Sequence, residues 1–110
     1  MDEKRAHQRQ LMQGMAHIGN GSPEEWLPVI LLDLLVSGVS FTHVTELPIG
    51  TLRILRFRLP DNNVLHQVGI HVVHSTTRGV PSGYRIGATF AALEPKMENA
   101  ILAFLEKSFL

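Results

Sequence analysis

Residues 27–41 read LPVILLDLLVSGVSF, a nearly apolar run interrupted by one carboxylate, Asp33, and turned at a glycine, Gly38. Ten residues of this kind, Leu27–Val36, read as a strand buried on both faces. Ser37-Gly38 then turns the chain back into a second strand. Strict alternation puts Asp33 on one face with Leu31 and Leu35, and Leu32, Leu34 and Val36 on the other. An unpaired buried carboxylate costs on the order of several kcal/mol. Asp33 therefore has a partner, faces water or waits for a ligand.

Outward from this hairpin the chain keeps the same grain. LMQGMAHI (11–18) alternates as a strand, and GNGSPEEW (19–26) is a turn by composition. Residues 42–50, with Pro48 and Gly50, form a loop. TLRILRFRL (51–59) is a strand with Leu52, Ile54, Arg56 and Arg58 on one face and Arg53, Leu55, Phe57 and Leu59 on the other. PDNN (60–63) is a hairpin turn. VLHQVGIHVVHST (64–76) and YRIGATFAAL (84–93) are strands joined by TRGVPSG (77–83). The ending changes period. Met97, Ile101, Phe104 and Leu105 fall at helical spacing, and Pro95 suits the first helical position. Short strands with turns between them, then one amphipathic helix, predict a small antiparallel barrel or sandwich with the helix over one end or edge.

The composition supports a packed core: 45% of residues are hydrophobic and 18% charged, outside the range of a disordered chain. The formal net charge is zero, so no overall field draws in DNA, RNA or anionic lipid. Cysteine is absent, which removes disulfide and thiol chemistry. The first ten residues carry no apolar signal segment, and Pro28 and Asp33 break an apolar run too short to span a bilayer. The expectation is a cytoplasmic protein without membrane insertion. Six histidines raise the question of catalysis or metal. His71 and His74 are three apart in a strand, which places them on opposite faces, and the others lack ligand spacing. No nucleophile elbow, Walker loop or dinucleotide fingerprint is present. The expectation is no enzyme, no metal and no cofactor.

A local constellation remains. Arg5 and Arg9, four apart, share a face in a helical turn and can wrap a ligand from an extended arm. A carboxylate accepts two bonds, which matches the N1–H and N2–H donors of guanine. An arginine donates two, to guanine O6 and N7 or to phosphate. Two arginines and Asp33 suit a guanine nucleotide. A solvated basic terminus and a structural carboxylate are the plain alternatives.

At this point the arrangement resembles the PilZ domain, a bacterial module that binds the second messenger cyclic di-GMP. The family pattern is Arg-x-x-x-Arg followed, about two dozen residues later, by Asp/Asn-x-Ser-x-x-Gly. Arg5 and Arg9 match the first part, and Asp33 and Gly38 the second. The order of later strands and the closing helix is also similar, so the resemblance covers the whole chain. It implies a mostly β fold, a six-stranded antiparallel β-barrel with a C-terminal α-helix. It divides the single domain 1–110 into an arm (1–10), a barrel (11–93) and a helix (95–109).

The resemblance also implies roles. Arg5 and Arg9 would clamp guanine and phosphate, Asp33 would accept from guanine, Gly38 would allow close backbone approach, and Lys4 would add charge. Leu35 stands at the serine position and offers no hydroxyl, a loss of about 0.5–1.5 kcal/mol. Ser37, two residues beyond the serine position, is read as a poor substitute. The implied function is a cyclic di-GMP receptor or adaptor that orders its N-terminal arm on binding and signals to an unknown protein partner in motility or biofilm regulation. Homodimerisation is open. The alternative is a degenerate PilZ-like interaction module that takes no nucleotide and presents the barrel and the helix end, with Phe109 and Leu110, to a partner.

Overall fold

The computed structural model describes residues 9–20, 25–59, 64–77 and 82–108, with the backbone alone at 9–13 and 108. Among these, six strands and one helix follow in order: β1 (Arg9–Gly19), β2 (Leu27–Leu35), β3 (Gly38–His43), β4 (Leu52–Arg58), β5 (Leu65–Thr76), β6 (Tyr84–Ala91) and α1 (Pro95–Ser108). All pairings are antiparallel, and they close a barrel in the order β1-β2-β3-β6-β5-β4. The ring closes where Ala16–Gly19 of β1 pairs with Ile54–Phe57 of β4. The barrel with its C-terminal helix agrees with the expected fold class. The first strand starts at Arg9 rather than at residue 11, so the backbone of Arg9 belongs to the sheet. Arg5, Lys4, the rest of residues 1–8, the 60–63 turn, Phe109 and Leu110 lie outside the described residues.

The lumen is a packed core. Val29, Leu31 and Leu34 of β2 meet Val39 and Phe41 of β3, Leu55 and Phe57 of β4, Ile70 and Val72 of β5, and Ile86 of β6, all fully or nearly fully buried. Leu47, in the loop after β3, is also buried there. The stripe predicted on the helix, Met97, Ile101, Phe104 and Leu105, is buried against this same core. Each such side chain contributes roughly 1.5–3 kcal/mol of burial. Glu98 in the first turn and Lys107 in the last turn suit the helix dipole.

Three bulges decide which side chains face outward. Register shifts fall between Leu11 and Gly14 in β1, Leu31 and Asp33 in β2, and Val72 and His74 in β5. An extra residue resets the alternation of everything after it. In β2 the bulge sends both Leu31 and Leu34 into the core and turns Asp33 to the outer wall. Strict alternation, which put Leu31 on the face of Asp33, misassigned Leu31 for that reason, whereas Leu34 lies on the face opposite Asp33 as expected. Burial on both faces also fails for β2: Leu27 and Ile30 are half exposed, because one face of a barrel wall meets water. In β5 the bulge leaves His71 and His74 both exposed on the outer wall, although they are three apart. The placement on opposite faces is thereby corrected.

Candidate functional site

The β2–β3 hairpin, connected through Val36 and Ser37, sets Asp33 opposite Ser40. Ser40 lies opposite Gly87 of β6, and Gly87 opposite His74 of β5. One row of outward positions therefore runs across four strands: Asp33, Ser40, Gly87, His74. Gly87 contributes no side chain, so the row is hollow at its centre. A groove of about 420 Å³ results, bordered by Asp33, Leu35, Ser37, His74, Arg85 and Thr89. A larger cavity of about 490 Å³ lies at Trp26, Leu47 and Arg53. It holds none of the paired motif residues, so the groove is the candidate site.

Asp33 is held on both carboxylate oxygens. The Ser40 hydroxyl donates to Oδ1 at 2.7 Å, and Nη2 of Arg85 donates to Oδ2 at 3.0 Å. The same Nη2 lies 3.4 Å from Ser40 Oγ, which closes the triad. Asp33 is 2% exposed. The Arg85 side chain is 34% exposed. The question raised by the sequence is thus answered first by a partner. Asp33 sits on the outer wall, and it is buried there beneath its neighbours. A charge-assisted hydrogen bond of this kind contributes about 1.5–3 kcal/mol.

Gly38 is required by the sheet itself. A Cβ added there would lie 2.1 Å from the carbonyl oxygen of Ala88, so no side chain fits between β3 and β6. Leu35 is half buried beside Asp33 and borders the groove, as its parity implies. Ser37 is exposed and borders the same groove. β2 ends at Leu35, and Ser37, an even four positions from Asp33, keeps to the groove side in the connection after it, which corrects its reading as remote from the site. Arg9 is brought close in register: its backbone pairs with Leu35, and Leu11 pairs with Asp33.

Ser40 and Arg85 were not singled out in the sequence, and His74 was weighed there only as a metal ligand. Ser40 had a signal. Counting outward from a two-residue connection at Val36-Ser37 pairs position 33 with position 40. Arg85 had none, because its contact with Asp33 spans fifty-two positions. Among the described residues no cluster of His, Asp and Glu could hold a metal ion. No described helix is long and apolar enough to cross a membrane.

The class is a small closed barrel whose lumen is filled and whose polar groove lies on its outer wall. The chain belongs to the PilZ domain family, whose model matches residues 3–107. Solved structures agree on the fold. The inhibitor of motility MotI/DgrA of Bacillus subtilis superposes with a TM-score of 0.78 at 14% identity, covering 93% of this chain and 49% of its own. The PilZ domain of Escherichia coli YcgR, solved with cyclic di-GMP, gives 0.70 at 14% identity, covering 94% of this chain and 90% of that domain. A tetrameric PilZ domain protein from Xanthomonas campestris gives 0.60 at 19% identity, covering 80% of this chain and 48% of its own. The chain thus spans about half the length of the Bacillus and Xanthomonas proteins. No curated protein sequence matches it.

Proposed function

We propose that this chain is a receptor for cyclic di-GMP and takes the nucleotide on the outer groove of its barrel. The observation that carries the reading is the β1–β2 register. Arg9 and Asp33 are far apart in sequence, yet one ladder sets Arg9 opposite Leu35 and Leu11 opposite Asp33. The second arginine of the Arg5/Arg9 motif therefore enters the barrel beside the aspartate of the other motif. Family membership supports the same ligand, as does the YcgR PilZ domain solved with it.

In this reading Arg5 and Arg9 bind guanine and phosphate, Lys4 adds charge, and Asp33 accepts from the guanine edge. Ser37 and Leu35 line the groove, and Gly38 holds β3 against β6 so that the groove keeps its shape. Nucleotide binding orders the segment ahead of β1 against the barrel, and the resulting surface is read by a protein partner. The likeness to an inhibitor of motility makes motility control the first output to examine. The test is a titration of wild type, Arg9→Ala and Asp33→Ala with cyclic di-GMP, followed by NMR. Wild type should show saturable shifts in β2, β3 and β6, and both variants should lose them. Unaltered shifts in both variants would refute the assignment.

A second reading, an interaction module that takes no nucleotide, is favoured by Leu35 at the serine position and by the internal satisfaction of Asp33. It predicts a folded wild type whose spectrum is unchanged by excess cyclic di-GMP.

A further inference from the structure

Asp33 presents a difficulty for any ligand. A side chain 3% exposed meets almost no water, so a ligand edge cannot reach it in this arrangement. Something has to move. Ser40 is short, buried and fixed in the middle of β3. Arg85 is long and one-third exposed, and it borders the groove. Its one Nη2 atom makes the contacts with both Asp33 and Ser40. Of these two partners it is the one that can leave at lower cost.

The donors also compete chemically. Arg85 gives the carboxylate a planar N–H donor, and a guanine edge gives it planar N–H donors. Arg85 occupies Oδ2, one of the two oxygens that such an edge would use. We infer that Arg85 is an affinity-setting residue that competes with the ligand: it satisfies Asp33 in the free chain and must be displaced for a guanine-type donor edge to bind. This inference rests on the nucleotide reading of the groove and adds its internal competitor. Arg85 acts through Asp33, so it is a positioning residue of the free state.

The competition has a sign. Removing Arg85 takes the guanidinium's hydrogen bond from Asp33 Oδ2 in the free chain, which lowers stability. A ligand that supplies N–H donors repairs that loss, so it binds the variant more tightly. Had Arg85 served only as scaffold, its removal would destabilise free and bound forms alike. Had it been a direct ligand contact, its removal would weaken binding.

The experiment is calorimetric titration of wild type, Arg85→Ala and Arg85→Gln with cyclic di-GMP, with the nucleotide-induced rise in melting temperature measured for each. Arg85→Gln keeps a neutral donor and remains informative if Arg85→Ala fails to fold. Arg85→Ala should bind about tenfold more tightly than wild type, with Arg85→Gln between them. The variants should melt lower than wild type without nucleotide and show a larger nucleotide-induced rise. Binding by the variants that is equal or weaker, with an equal or smaller rise, overturns the competition while leaving the receptor reading intact. Binding by a variant but not by wild type supports the competition in its strongest form. Absence of binding by all three proteins, each folded, overturns the receptor reading and this inference with it.

Discussion

Two arginines on different walls of the barrel are held in contrasting ways. Arg85, on β6, is held by a carboxylate and a hydroxyl beside the groove. Arg56, on β4, is held by neutral groups: Nε donates to Gln67 Oε1 at 2.8 Å, and the guanidinium lies 4.0 Å from the Trp26 ring centroid. Trp26 in turn packs on Gly19, where an added Cβ would lie 2.9 Å from Cε3 of the indole. The Arg56 arrangement stabilises the wall and offers a ligand nothing that it must take away. The Arg85 arrangement ties stability to an acceptor that a guanine edge also needs. The difference is one of charge placement. Of the ten acidic residues in the chain, Asp33 is the only one that falls within a described strand. Five of the seven arginines, Arg9, Arg53, Arg56, Arg58 and Arg85, lie in strands. The carboxylate of Asp33 and the guanidinium paired with it mark the place where an exchange of donors can occur.

The contrast between the walls can be tested first at glycines. Gly38→Ala in the groove wall should cost more than about 3 kcal/mol, because its Cβ meets backbone at 2.1 Å. Gly69→Ala, on β5, meets only Ala91, its methyl at 3.7 Å and its carbonyl oxygen at 3.9 Å, both ordinary contacts, and should stay within about 1 kcal/mol of wild type. Urea midpoints read both. Equal midpoints would show that the groove wall is as tolerant as the other. Next in size is the effect on ligand. Asp33→Ala should lose about a hundredfold or more in cyclic di-GMP affinity, from the charge-assisted bonds it gives up, and Arg56→Ala should stay within about twofold. Comparable losses would place the ligand elsewhere.

Stability should also distinguish the two arginines, by a smaller margin. Arg85→Ala should cost about 1–3 kcal/mol, tempered by the exposure of the guanidinium. Arg56→Ala should cost about 1 kcal/mol, from one neutral-acceptor bond and a partly exposed cation–π contact. A larger loss at Arg56 would invert the contrast. The smallest expected effect is at Leu35. Leu35→Ser restores a hydroxyl beside Asp33 and should tighten nucleotide binding by roughly two- to tenfold. An unchanged affinity would show that this hydroxyl plays no part in this groove.

The strands and the helix were legible because their signals are local. Alternation marks β4, and the Met97, Ile101, Phe104, Leu105 stripe marks α1; each reports burial within one element. The bulges were not legible. An extra residue leaves no mark in composition, yet it moved Leu31 off the face of Asp33 into the core and His74 onto the wall with His71. The site was legible in half. Asp33 stood out because a charge in an apolar run needs a reason, and Gly38 because a glycine follows it in the family pattern. The physical reason for Gly38 was different: it is the approach of β6 that excludes a side chain. Arg85 stayed hidden because only the closed barrel brings β6 beside β3, and no pattern within YRIGATF says which residue it will face.

The central claim is that the outer groove with Asp33 at its floor binds cyclic di-GMP. Isothermal calorimetry of the folded wild-type chain tests it most directly, with GMP titrated in parallel. Saturable binding of cyclic di-GMP in the micromolar range or tighter, with GMP much weaker, is the predicted result. No heat at nucleotide excess, from protein shown to be folded, would contradict it.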